Sequence, residues 1–124
     1  MDGLVLSSEQ RGTSTVVTVG GDLDIVTSPA LDDCLTHARA AGSRVILDLS
    51  GVDFMDTSAL AVIVGHWKKL EAAGGGLSLA GARYRYTKTL WITGLADRLS
   101  LYDNVEAALA AADADAGDGQ DGDR

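Results

Sequence analysis

Residues 45–49, Val-Ile-Leu-Asp-Leu, place four apolar side chains in five consecutive positions, and no other stretch constrains the fold as strongly. A strand with one wet face alternates apolar and polar residues. A run with so little alternation asks for cover on both faces, as in the middle of a parallel sheet. From Ala59 onward the spacing changes: Leu60, Ile63, Val64, Trp67 and Leu70 recur every three or four residues, the period of a helix with one apolar stripe. Lys68 and Lys69 fall near its C-terminal end, where the helix dipole favours cations.

The same alternation of strand and helix runs along the chain. Leu4–Ser8 and Thr13–Gly20, flanking Glu-Gln-Arg-Gly, read as an antiparallel hairpin whose second strand ends at Gly20 and Gly21. Ser28 is expected to cap a helix with Pro29 at its first position and Leu31, Cys34, Leu35 and Ala38 on one face, stopped by Gly42. Gly74–Gly76 stop the second helix and read as ordinary helix-stop glycines, and Leu77–Ala80 is a short strand. A short helix is expected over residues 84–93, closed by Gly94, then a strand near Leu99–Tyr102, then an Ala-rich helix capped by Asn104 and running to about Ala112. The order β-β-α-β-α-β-α-β-α implies right-handed crossovers: an α/β fold with a mixed, mostly parallel sheet of about five strands, an N-terminal antiparallel hairpin and about four flanking helices.

A chain of 124 residues with 46% apolar content has the size of one domain, expected over residues 1–112. Residues 113–124 carry five Asp and one Arg, which supplies −4 of the net charge of −8. Without a large apolar residue this segment cannot offset its ordering entropy, and a disordered acidic tail is expected. The acidic balance argues against nucleic acid, which needs a basic face, and against an anionic membrane surface. The longest apolar run, Ala59–Val64, is too short to span a bilayer. A single cysteine, Cys34, excludes an intramolecular disulfide and a multi-cysteine metal site; a reducing, cytoplasmic setting fits. Cys34 is expected to face the core, as is Trp67, while Tyr84, Tyr86 and Tyr102 are structural with hydroxyls at the rim.

Between the apolar strand and the apolar helix stand Asp56, Thr57 and Ser58. By residue type alone, Asp56 is a helix cap with two hydroxyls in the first turn. Position adds to this, because the turn comes after the carboxyl end of the central strand, where ligands and chemistry concentrate in open α/β sheets. A serine hydrolase would need a base, yet His66 lies about 12 Å further along the same helix and His37 is late in the preceding one; both are expected at the surface. No Gly-rich phosphate loop occurs. Asp48 inside its strand and Lys88 in a helix fit a phospho-aspartate receiver poorly. A hydroxyl modified by another protein remains, and phosphate on Ser58 would meet the positive end of a helix dipole.

The segments 19–31 (VGGDLDIVTSPAL), 45–64 (VILDLSGVDFMDTSALAVIV), 92–95 (ITGL) and 99–111 (LSLYDNVEAALAA) resemble the STAS domain family, and within it the bacterial anti-sigma factor antagonists. The resemblance implies no enzymatic activity, no cofactor and no metal. It implies instead that the unmodified form binds an anti-sigma factor, often a serine kinase, and so releases a sigma factor. Phosphorylation by that kinase ends the binding, and a metal-dependent serine phosphatase restores it, as in transcriptional control of stress responses. The acceptor position falls on Ser58, with Thr57 as the alternative; Asp24 and Asp56 border it and share the partner surface with Thr57 and Ser58. Two residues depart from the family pattern. Ala59 replaces a frequent glycine, favouring helix by roughly 0.8 to 1 kcal/mol. Trp91 stands where a polar residue is usual, either folded over local apolar surface or offered as an anchor to a partner. A sensory STAS-type domain that binds a small ligand or a stress-complex partner without serine phosphorylation is the alternative reading, ahead of an enzyme.

Overall fold

A computed structural model describes residues 4–82 and 99–121, the side chains of 114–121 excepted. Its sheet has five strands in the order β1-β2-β3-β4-β5: β1 (Val5–Arg11), β2 (Ser14–Leu23), β3 (Arg44–Met55), β4 (Gly76–Ala80) and β5 (Ser100–Tyr102). The first pair is antiparallel and the others are parallel. The hairpin is tighter than Glu-Gln-Arg-Gly suggested. Arg11 pairs with Ser14, so only Gly12 and Thr13 form the loop, and Gly12 at φ 64 supplies the positive φ that such a two-residue turn needs.

Helices α1 (Ser28–Ala41) and α2 (Thr57–Ala72) share one face of the sheet; α3 (Val105–Asp121) lies on the other. Pleating sorts the strand residues between the two faces. Val17, Val45 and Leu47 join Leu31, Leu35, Ile63, Trp67 and Leu70 in the larger core, whereas Val16, Ile46 and Ala80 meet Ala108 in the smaller one. The unalternating run at 45–49 is therefore explained by cover on both sides of β3. Cys34 packs against the larger core, and burial pushes its thiol above the ordinary range, which disfavours the reactive thiolate.

Several local expectations give way. Gly20 and Gly21 do not end β2: the strand continues to Leu23, with register shifts at Thr18/Gly20 and at Gly21/Asp22. Gly21 takes φ 101, a conformation side chains resist, and the irregularities let β2 stay paired as β3 runs on through Met55. The cap of α1 is Thr27, not Ser28; Ser28 lies in the first turn with its hydroxyl donating to the Asp24 carbonyl at 2.6 Å. Asn104 does cap α3, accepting from the Ala107 amide at 2.8 Å, but that helix passes Ala112 and runs to Asp121. Alanines throughout and no proline leave nothing local to stop it there. Three helices are seen among the described residues, and the expected helix at 84–93, with Trp91, Tyr84 and Tyr86, lies outside them. No helix among the described residues is long and apolar enough to cross a membrane.

His66 is not a surface residue. Only 3% exposed, it sits between the two helices of the larger layer, with Nε2 at 2.6 Å from Asp32 Oδ1 and Nδ1 accepting from Arg39 Nε at 2.9 Å. Since Nδ1 accepts, the ring proton is on Nε2 and donates to Asp32. Asp32 and Arg39 lie on α1, so one imidazole fastens α2 to α1 at two points. His37 is exposed, with Nδ1 at 2.8 Å from the Asp33 carbonyl oxygen of its own helix.

Gly75 is more than a helix stop. Its amide donates back to Leu70 O at 2.8 Å, and a Cβ on it would stand 1.8 Å from Ser43 O. Gly42, in extended backbone at φ 175, has nothing within 4 Å of a built Cβ. In chemical denaturation, Gly75→Ala should cost more than the ~1 kcal/mol typical of point substitutions, while Gly42→Ala should stay within about 0.5 kcal/mol of the parent. Equal effects would show that the 42–43 and 74–76 turns do not approach as described.

Candidate functional site

The site is made by the parallel pairing of β2 with β3. Leu23 is the partner of Met55, so the next residues along each chain segment, Asp24 and Asp56, leave the sheet side by side. The Asp56 amide donates to Leu23 O at 3.0 Å, extending the ladder one step past the strands. From this point one segment enters α1 and the other α2. The two helix starts consequently face each other at the carboxyl edge of the sheet.

Asp56 caps α2 in extended backbone, φ −111 and ψ −177. Its Oδ1 accepts from the Ser58 amide at 3.0 Å and the Ala59 amide at 3.4 Å, satisfying two donors that a helix start otherwise leaves unpaired. The same oxygen accepts from Ser58 Oγ at 2.5 Å. The hydroxyl of Ser58 holds the Asp56 carboxyl below the ordinary aspartate value of 3.8, helped by the amides of Ser58, Ala59 and Ile25. Thr57, the first residue of α2, is exposed. Ser58 is partly exposed, and Ala59 is sealed at 0% exposure. This turn is therefore anchored by the buried methyl of Ala59, next in sequence to the Ser58 hydroxyl.

Asp24 organises the opposite loop. Its Oδ1 accepts from the amides of Val26 at 2.9 Å and Thr27 at 3.0 Å, while its own amide is 2.9 Å from Thr27 Oγ1. An acidic side chain folded back on its own turn in this way fixes the loop that precedes α1. The loop presents Ile25 and Val26 to solvent, 75% and 81% exposed, and Phe54 at the end of β3 is 48% exposed.

All four residues expected at the site, Asp24, Asp56, Thr57 and Ser58, come together on this edge. The sequence reading missed Ser28. Its hydroxyl lies 3.2 Å from Ser58 Oγ, although the two are 30 residues apart, and it is only 6% exposed. Nothing in the local pattern links them; only the β2–β3 register does. Ser58 Oγ has carboxylate and hydroxyl neighbours and no imidazole among the contacts described, and His66 is engaged between Asp32 and Arg39. Among the described residues no group of three or more His, Cys, Asp or Glu is arranged to hold a metal.

The lowered Asp56 pKa fixes the sign of a pH effect. The ionised carboxylate is the form that the folded state favours, so its stabilisation is fully present above the ordinary aspartate value and is lost as acid titrates the group through its lowered value. Asp56→Asn, which can still accept at the cap, should lower thermal stability at neutral pH. Its deficit relative to the parent should shrink as the pH falls below about 4. A deficit that is constant down to strong acid would mean that the Asp56 charge contributes nothing to the cap.

The fold is shared with known proteins. The STAS domain model matches residues 6–108. The anti-sigma-B factor antagonist of Staphylococcus aureus (strain NCTC 8325 / PS 47) is 35% identical over 91 residues, spanning 73% of this chain and 84% of that protein. Among solved structures, an anti-sigma factor antagonist from Mycobacterium paratuberculosis superposes with a TM-score of 0.80 at 26% identity, covering 88% of this chain and 93% of that one. The Bacillus cell fate determinant SpoIIAA in its phosphorylated form gives 0.72 at 21% identity, over 87% and 99% of the two chains, a likeness of fold. With the family model spanning most of the chain and the curated relative matched over most of its length, this protein belongs to the STAS domain family.

Proposed function

We propose that this protein is an anti-sigma factor antagonist of the cytoplasm whose binding surface is the edge built by Asp24, Asp56, Thr57 and Ser58. The unphosphorylated form binds an anti-sigma factor that is itself a serine kinase, and a sigma factor is released. Modification of Ser58 ends the complex, and a metal-dependent serine phosphatase restores the protein. The observation that carries this reading is the setting of the Ser58 hydroxyl: partly exposed, in the first turn of a helix, with the buried Ala59 next to it in sequence and the Asp56 carboxylate in contact with it. The identity to anti-sigma-B factor antagonists supports the role.

The chemistry is a phosphoryl transfer performed by the partner. An Oγ–P bond forms on Ser58 as the terminal P–O bond of a nucleoside triphosphate breaks; the nucleoside diphosphate leaves, and the hydroxyl proton passes to a base of the kinase. The scaffold has little reason to change. The new charge, near −2, sits where the α2 dipole is positive, and the core residue behind it does not move. The surface does change, because the added charge stands beside the Asp56 carboxylate. A partner that matched two carboxylates, two hydroxyls and apolar tips now meets a concentrated anion, and charge juxtaposed against the wrong surface is a strong means of rejection.

The partner co-purified from the native host supplies the test. ATP should dissociate the parent complex but leave Ser58→Ala bound; Ser58→Asp should bind at least tenfold more weakly, which corresponds to about 1.4 kcal/mol, with an unchanged amide NMR spectrum of the core. Loss of the Ser58→Ala complex on ATP treatment would remove Ser58 as the switch, and a complex preserved only by Thr57→Ala would move it to Thr57.

A further inference from the structure

Ser28 has no part in capping α1 and is too enclosed to be a kinase substrate, yet it is in contact with the proposed acceptor. Of the buried polar side chains among the described residues, Ser14, Thr15, Ser28 and His66, only Ser28 is within hydrogen-bond distance of Ser58. We propose that Ser28 is a positioning residue that links the Ser58 hydroxyl to the Ile25–Val26 loop, so that phosphate on Ser58 resets the apolar surface next to it as well as adding charge. The inference rests on the reading of Ser58 as the phosphorylated residue.

The proton inventory of the cluster leads to this. Three short contacts join Asp56 Oδ1, Ser58 Oγ, Ser28 Oγ and Asp24 O, at 2.5, 3.2 and 2.6 Å in that order. Each hydroxyl has one proton to donate. In the unmodified protein Ser58 donates to the Asp56 carboxylate and Ser28 to the Asp24 carbonyl, and both outer acceptors are satisfied. The 3.2 Å contact between the hydroxyls is then the weak middle of the chain of contacts, open to use in one direction or the other.

Phosphorylation removes the Ser58 proton. Asp56 loses that donor and gains an anion as neighbour, while the phosphate oxygens need donors of their own. The Ser28 hydroxyl, 3.2 Å from Ser58 Oγ, is the side-chain donor at hand among the contacts described. A hydrogen bond to an ionised oxygen is roughly twice as strong as one between neutral groups, so Ser28 turns its proton from the Asp24 carbonyl to the phosphate. The Asp24 carbonyl then keeps the Ser28 amide at 2.8 Å and the longer contact from Thr27 Oγ1 at 3.4 Å, and loses the shortest of its three hydrogen bonds. The Ile25 amide, in the same peptide unit as that carbonyl, is among the groups that lower the Asp56 carboxyl pKa and so lies within reach of the new charge. The peptide that opens the turn displaying Ile25 and Val26 is thereby altered by one event. The unmodified loop is the partner-competent one, and its exposed apolar tips lie within the surface that the partner covers.

Phosphoserine installed at position 58 during translation tests this without any kinase. Amide NMR spectra would be compared for the full chain with and without the phosphate, in the parent, Ser28→Ala, Ser28→Cys and Ser28→Thr backgrounds, with the Val17, Leu47 and Ile63 amides as the check of fold. In the parent, phosphate should shift the amides of residues 25–28 as well as 56–59. In Ser28→Ala and Ser28→Cys, which lack a strong donor, the changes at 26–28 should be lost while those at 56–59 and at Ile25, near Asp56, remain, and Ser28→Thr should restore the wider response. An identical response at residues 26 and 27 with and without a hydroxyl at position 28, or no response there in the parent, would overturn the proposal. Because the phosphate is installed directly, such a failure counts against Ser28 and leaves the assignment of the acceptor untouched; Ser28→Cys keeps the comparison interpretable if Ser28→Ala alone does not fold.

Discussion

The site depends on one pairing, Leu23 with Met55 at the far end of two parallel strands. Parallel neighbours leave the sheet in the same direction, so the residues just beyond them are brought together without any contact having to be evolved between distant loops. Beyond this pair lie Asp24 and Asp56, then the starts of α1 and α2, with Ser28 and Ser58 in their first turns. A two-residue shortening of either strand would separate the carboxylates from each other and the hydroxyls from the helix ends. Gly21 at φ 101 and the register irregularities around it are the local features that let β2 keep pace with β3 over this last stretch.

Behind that edge the molecule separates a stable scaffold from an adaptable surface. Ala59, Ile63, Leu31 and Leu35 are fully buried within a few residues of Ser58 and Ser28, whereas Ile25, Val26 and Phe54 are open to solvent. A substitution or modification on the outer side is buffered by packing on the inner side, since well-packed interiors resist continuous deformation. This arrangement suits the proposed output, the presence or absence of a complex. The His66 bridge between Asp32 and Arg39 serves the same end by holding α1 against α2, so that the two helix starts keep their separation.

Much of this was legible in the chain. The unalternating run at 45–49 predicted a doubly covered strand, the change of period after Ser58 predicted α2, and the Asp-Thr-Ser junction marked a cap at the carboxyl end of the central strand. Long-range consequences were harder to read. Two adjacent glycines look like a strand end, and only the partner strand's length shows that β2 passes through them. His66 has a polar side chain on a helix, and its burial depends on Asp32 and Arg39 of another helix being spaced to receive both ring nitrogens. Ser28 was read as a cap because serine before proline often is one; its contact with Ser58 exists through sheet register, which no local pattern encodes. Gly75 needs the approach of Ser43 to explain it, for the same reason.

The proposed switch makes the Ser58 hydroxyl the chemically addressed group of this fold. Intact-mass measurement and peptide mapping of the protein taken from its own cells, before and after phosphatase treatment, address it most directly. The expected result is a single phosphate, removable by the phosphatase, on the peptide containing Asp56-Thr57-Ser58 and localised to Ser58. A protein that carries no phosphate under any growth condition, or carries it on a residue away from this turn, would contradict it.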